Sequence, residues 1–144
     1  MINNEIKGNL NGLLADFTVM YMKLHHYHWF VKGPHFFTLH EKFEELYNEV
    51  TGHVDDIAER LLTVGETPIS TLKECLETAT TKEATTVGTE KEMVEELLAD
   101  FRTIMDKLNA GLALTENEPG TNDLLLGILT SLEKHSWMLR AYIG

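Results

Sequence analysis

Apolar residues return at alternating spacings of three and four along almost the whole chain, and that period belongs to amphipathic helices. A first stretch, about Asn4 to Val31, carries Leu10, Leu13, Phe17, Met20 and Leu24 on one stripe. A second, about Phe36 to Val64, carries Phe43, Leu46, Val50, Val54, Ile57 and Leu61. A third opens at Thr89, where Thr89 and Glu92 form a capping-box pattern, and runs through Val94, Leu97, Phe101, Ile104 and Leu108. A fourth starts near Asn122 and carries Leu125, Ile128, Leu132 and Leu139. Pro34, Pro68 and Pro119 each sit near a glycine (Gly33, Gly65 and Gly120) and punctuate these stretches. Gly65 is placed to stop the second helix. No stretch alternates as a strand does, so an all-α fold is expected.

The connections restrict the topology further. A few residues around Gly33-Pro34 join helices one and two, which makes them antiparallel neighbours. Helices two and three are separated by about two dozen residues, a length that needs a reason inside one domain. There is room in it for a short helix near Ser70 to Leu76. A four-helix bundle with one long crossover is the ferritin-like arrangement.

The 144 residues amount to one domain, 1–144, without repeats or low-complexity segments. No apolar run approaches the roughly 18 residues of a membrane helix. The segment Met1-Ile2-Asn3-Asn4-Glu5 lacks the basic and apolar blocks of a secretory signal. Cys75 is the sole cysteine, so no intrachain disulfide can form and a reducing cytosol is the expected compartment. The net charge of −11 repels phosphate backbones and favours cations as partners, although acidic excess also serves plain solubility.

The second helix holds His40, Glu44, Asp55 and Glu59 as two i,i+4 pairs flanking its core face. A solvated polar flank would look the same. The spacing is more informative. His40 and Asp55 stand 15 residues apart, about 22 Å along a helix, so no single metal centre reaches both within one chain. Yet the pattern is palindromic, because both His40/Glu59 and Glu44/Asp55 share a midpoint between Glu49 and Val50. Two copies of this helix, antiparallel across a two-fold axis at that midpoint, would face His40 and Glu44 with the partner's Asp55 and Glu59. Asn48 and Thr51 lie on the same stripe beside that axis. Gly52 lies next to it, where a missing side chain permits close approach.

His28 and His40 are equidistant from Pro34, so the hairpin sets them at one height. A lone histidine near a seam is commonly a packed or hydrogen-bonded residue, but this one comes toward a site already proposed. Each site then holds two imidazoles and three carboxylates. Mixed ligation of that kind suits redox-active iron, whereas structural zinc favours cysteine, and calcium or magnesium favours oxygen alone. Zinc or another divalent cation remains an alternative occupant. The usual Glu-x-x-His motif of ferritin-like bundles is missing.

At this point the chain resembles the Dps family, the mini-ferritins. The resemblance is carried by His28-Trp29, by Gly33-Pro34-His35-Phe36-Phe37-Thr38-Leu39-His40-Glu41-Lys42-Phe43, by Asp55-Asp56-Ile57-Ala58-Glu59-Arg60-Leu61 and by Glu133-Lys134-His135-Ser136-Trp137-Met138. It implies a hollow homododecamer built from two-fold dimers, with ferroxidase centres at the two-fold interfaces. His28, His40 and Glu44 would come from one subunit, Asp55 and Glu59 from its partner. Many members have aspartate at position 44; glutamate keeps the charge and adds a methylene. The implied activity is oxidation of Fe(II), preferentially by hydrogen peroxide and otherwise by dioxygen, with storage of ferric mineral and protection from oxidative stress.

The resemblance also implies lesser roles. Trp29, beside a ligand, is a candidate quencher of one-electron oxidants, with a packed or stacking aromatic as the alternative. His135 and Trp137 read as structural. Glu116, Glu118 and Asp123 are similar to the segment lining the family's three-fold iron-entry pores. Asp123 is the first pore candidate and Glu116 the second; the alternative makes Asp123 a helix cap and Glu116 a solvated side chain. Glu41 and Glu45 are candidates for mineral nucleation, against the alternative of ordinary acidic helix surface. DNA binding, which the family's name describes, is not expected: only Lys7 precedes Lys23, and the last residues are Ala141-Tyr142-Ile143-Gly144. The competing functional readings are a nucleoid-binding protein that compacts DNA and a dimeric bundle with structural zinc or no metal.

Overall fold

A computed structural model describes residues 2–85 and 87–144 of the chain; Met1, the first residue of the N-terminal segment, lies outside them. Five helices succeed one another: α1 (Asn4–Phe30), α2 (Phe36–Thr63), α3 (Leu72–Thr78), α4 (Glu90–Leu114) and α5 (Pro119–Ile143). Among the described residues there is no strand. The four long helices make the ferritin-like bundle, and α3 sits in the long crossover between the second and third of them. No helix among the described residues is long and apolar enough to cross a membrane.

Several helix ends lie where local chemistry directs. The Asn3 side chain accepts from the Ile6 N–H at 2.9 Å and starts α1. At α2's end the Gly65 N–H reaches the Leu62 carbonyl (3.0 Å) and the Glu66 N–H reaches Leu61 (2.8 Å), the paired bonds of a Schellman motif. Gly65 supplies the positive φ of 86° which that turn requires. At α4 the capping box forms in full: Glu92 N–H to Thr89 Oγ1, 3.1 Å, and Thr89 N–H to Glu92 Oε1, 3.2 Å.

Two boundaries differ from the sequence reading. The short helix is displaced toward Thr78, because Thr71 caps it by accepting from the Glu74 N–H at 3.1 Å. The last helix starts at Pro119 rather than near Asn122. Proline's fixed φ and missing N–H suit the first helical position, so Pro119 opens the helix instead of ending the preceding turn. Asn122 is left to reach back to the Leu112 carbonyl and Thr115 Oγ1, both at 3.1 Å, and it closes the α4–α5 corner.

Most of the periodic apolar residues are buried as their spacing requires, with Val54 only partly so. Helix α1 packs against α2, α3 and α4, while α5 packs against α4. Its central position forces polar side chains of α1 into the interior, and each is used to hold a neighbour. Asp16, 0% exposed, accepts from the N–H groups of Thr80 and Thr81 (2.8 and 2.9 Å), from both threonine hydroxyls and from the Lys107 ammonium. Asn11 accepts from the Ile69 N–H at 3.0 Å. Buried Lys23 pairs with Glu96 (3.0 Å) and Asp100 (2.8 Å) on α4, and donates to the Lys82 carbonyl at 2.8 Å. The crossover is thus fastened to α1 at three heights.

Burial pushes the Asp16 carboxyl up, but the hydrogen bonds from Lys107 and Thr81 overcome this and hold it below its usual 3.8. Asp16→Ala is expected to cost about 3–5 kcal/mol in denaturant unfolding, as for one partner removed from a buried, hydrogen-bonded pair. Because the folded carboxyl lies below its unfolded value, Asp16's contribution is complete above about pH 4 and disappears as pH falls through the folded value. Melting curves of the variant and the native chain should therefore converge in acid.

Candidate metal centre

The α1–α2 hairpin turns at Gly33, whose φ of 138° suits glycine alone. A side chain there would also strike the Glu90 carboxylate, which accepts from the His35 N–H at 2.9 Å and clamps the turn to α4. The clamp fixes how the end of α1 meets the start of α2. His28, in the last turn of α1, and His40, early in α2, lie face to face with ring centroids 3.6 Å apart and planes 12° from parallel. Nδ1 of His28 donates to the His40 carbonyl (2.6 Å), and Nδ1 of His40 donates to the His28 carbonyl (2.7 Å). A carbonyl can only accept, so each Nδ1 carries the hydrogen and in each neutral ring the lone pair is on Nε2. A backbone bond that fixes the tautomer and orients the free nitrogen is the usual support of a metal-ligating histidine. Phe36 covers the other face of His40, its ring stacked at 5.0 Å.

The carboxylates divide into two groups. Glu44 is exposed on α2, and its Oε1 accepts from the Tyr47 hydroxyl at 3.2 Å. The Tyr47 ring meets His28 edge-on at 5.4 Å, which ties Glu44 to the imidazole pair. Asp55 and Glu59 are exposed one turn apart farther along α2, roughly 22 and 28 Å from His40 by helical rise. Among the described residues no three His, Cys, Asp or Glu side chains gather to hold one ion. Glu44, Asn48, Thr51, Gly52, Asp55 and Glu59 instead form one continuous exposed stripe. An added Cβ on Gly52 would meet nothing within 4 Å of its own chain.

The other flank of α2 is closed. Glu49 accepts from Ser131 Oγ (2.9 Å) and His135 Nε2 (3.0 Å) on α5, and from His53 Nε2 (3.2 Å) on its own helix. Lys42 donates to His135 Nδ1 at 3.2 Å, and Arg60 to Thr121 at 3.1 Å. Burial raises the Glu49 carboxyl, but the bonds from His135, His53 and Ser131 bring it well below the usual carboxylate range. His135 is therefore a structural bridge. The cluster was not visible in the sequence, since it joins residues more than eighty positions apart across α2 and α5.

The remaining candidates are dispersed. Trp29 is 61% exposed, its ring 5.3 Å from that of His25. Trp137 is also exposed. Glu41 and Glu45 lie with Thr38, Lys42, Met138 and Tyr142 around an open groove of about 360 Å³ between α2 and α5. Lys42 approaches Glu45 at 3.5 Å. Glu116 is exposed in the α4–α5 turn and Asp123 is exposed inside α5. The capping alternative for Asp123 is corrected, because Pro119 moves the helix start forward and puts the N-cap at Glu118. The sequence reading missed Tyr47 and His25. Tyr47 stands three residues after Glu44 and His25 three before His28, so helical adjacency was their available signal.

A family model described as the ferritin-like domain matches residues 7–144. DNA protection during starvation protein 2 of Bacillus anthracis is 48% identical to the chain over 145 residues, covering 99% of each. The chain belongs to the Dps family of ferritin-like proteins. The crystal structure of Dps from Staphylococcus aureus matches it with a TM-score of 0.96 at 44% identity, over 100% of this chain and 99% of that one. A Dps protein from Vibrio cholerae O1 has a TM-score of 0.93 at 32% identity, over 97% of this chain and 89% of its own. That protein is described as a member of a broad superfamily of ferritin-like diiron-carboxylate proteins.

The tautomers can be checked directly in this Dps-family chain. Nitrogen-15 NMR of selectively labelled histidines should find His28 and His40 protonated at Nδ1. Added Zn(II) should shift their Nε2 resonances and leave the Nδ1 protons in place.

Proposed function

We propose that the chain stores and detoxifies iron, oxidising Fe(II) to Fe(III) at centres shared between two-fold-related subunits and retaining ferric mineral in a hollow homododecamer. One observation carries this reading. A locked pair of imidazoles, buried His28 on α1 and half-buried His40 on α2, lies at one end of the exposed α2 stripe with both Nε2 atoms unbonded, and the stripe's far carboxylates are too distant to complete the site in one chain. The register of that stripe supports a two-fold partner, whose Asp55 and Glu59 would meet His28, His40 and Glu44.

Such a centre would suit ferroxidation. The imidazoles hold Fe(II), and the three carboxylates neutralise the charge gained when Fe(II) becomes Fe(III). Hydrogen peroxide is the favoured oxidant: two Fe(II) each give one electron, the O–O bond breaks, and both oxygens leave as water after taking two protons. No hydroxyl radical is released, and dioxygen serves as the slower oxidant. Zinc or another divalent cation would occupy the same ligands without redox chemistry. Asp123 and Glu116 are the proposed entry-pore residues, Glu41 and Glu45 the nucleation residues, and Trp29 the quencher of stray one-electron oxidants.

Asp55→Ala with Glu59→Ala is expected to abolish fast oxidation of Fe(II) by peroxide while the sedimentation mass remains that of the assembled particle. The native chain should consume about two Fe(II) per peroxide, as an iron pair requires. Stopped-flow kinetics in the double variant that match the native chain would remove the assignment.

The Bacillus anthracis relative's name refers to DNA protection. Here we assign that protection to removal of Fe(II) and peroxide in the cytosol, because a chain with net charge −11 has few of the cationic contacts that release counterions from DNA. Duplex DNA in a low-salt gel without divalent metal should run unretarded. Retardation would favour the nucleoid-binding alternative.

A further inference from the structure

We propose that Tyr47 is the positioning residue for Glu44, holding its carboxylate ready beside His28; the inference rests on the centre proposed above. Glu44 stands exposed on the open stripe. A free glutamate loses substantial rotamer freedom when it is ordered, and a ligating one must do so each time a cation arrives. The Tyr47 hydroxyl is the one side-chain donor that the Glu44 carboxylate meets among the described residues, at 3.2 Å through Oε1. Oε2 is left for a cation.

Tyr47 can serve this role because it is itself held. Its ring lies flat on His25, with centroids 3.7 Å apart and planes 18° from parallel. The ring also stands edge-on to His28 at 5.4 Å and to Tyr21 at 6.4 Å. His25 is in turn fixed by an Nδ1 bond of 2.7 Å to the Tyr21 carbonyl. A chain of contacts therefore runs from the α1 backbone through His25 and Tyr47 to the Glu44 carboxylate, and it passes the edge of His28. Preorganisation of this kind raises affinity by removing ordering cost, without adding a ligand. It also suits the longer glutamate: aspartate at this position would draw the carboxylate back by a methylene from the hydroxyl.

The test uses the full assembled chain, first as the native form, Tyr47→Phe, Glu44→Ala and the double variant. Co(II) is titrated and read by its visible absorption, and Fe(II) oxidation by peroxide is followed as a function of iron concentration. Tyr47→Phe keeps the aromatic stack and removes one hydroxyl. It is expected to weaken Co(II) binding and raise the KM for Fe(II) by about 3- to 10-fold, the equivalent of one hydrogen bond. The kcat at saturating iron should change little. In the Glu44→Ala background the same change should have no further effect, because Tyr47 acts through Glu44.

His25→Ala, which frees the Tyr47 ring, should reproduce the direction of the effect and also lose it in the Glu44→Ala background. Native values in Tyr47→Phe, or an equal loss with and without Glu44, would overturn the inference and leave the centre standing. A native chain that binds no Co(II) would overturn the centre and this inference together.

Discussion

A side chain reaches only a few ångströms from a helix axis, while α2 carries its imidazole end and its carboxylate end roughly 22 Å apart. Most of what is particular to this chain depends on that mismatch. The hairpin brings His28 onto His40 at one end, and among the described residues no third ligand-type side chain joins either end. A centre that drew on both ends would be an interface property, and α2 carries an exposed stripe that the bundle does not cover. Acidic side chains on such a stripe keep their hydration and remain available as ligands.

The two flanks of α2 show how the fold sorts otherwise similar residues. Glu49 lies on the flank toward α5, where three donors occupy its oxygens and hold it ionised. Glu44 lies around the helix on the open flank and meets one phenol. Lys42 and Arg60 are also on the α5 side, so the cations of α2 face its packed flank while Glu44, Asp55 and Glu59 stay exposed on the open one. A stripe that lacks cations of its own is the better receiver of them.

Helix α1 shows the corresponding logic in the interior. Asp16, Lys23 and Asn11 are buried because α1 has α2, α3 and α4 around it. A buried ion pair gains little over an apolar substitute, but one left unpaired is costly. These groups therefore act mainly on specificity: the crossover has one position in which Asp16 and Asn11 find their donors and Lys23 its acceptors. With the crossover placed, α4 is placed, and through Glu90 the hairpin turn that presents His28 and His40.

Much of this was legible in the amino-acid order. Helical period, the Thr89–Glu92 capping box and the stop at Gly65 are local signals, each decided by a few neighbouring residues, and they produce the all-α bundle with one long crossover. The ligand candidates and the symmetry of their spacing were equally local, because helical rise is a constant. Local reasoning misjudged Pro119, whose meaning as a turn or as a first helical residue depends on the conformation of the residues after it, and so it misread Asp123 as a possible cap.

Only the tertiary structure decided which nitrogen of each imidazole is free, that Glu49 is occupied while Glu44 is open, and that Tyr47 and His25 stand behind Glu44. Those facts depend on contacts between α1, α2 and α5, and no spacing along one helix encodes the rotation of its neighbour. The sequence by itself determined the helices and the chemistry they carry; the packing decided which of those groups remain available.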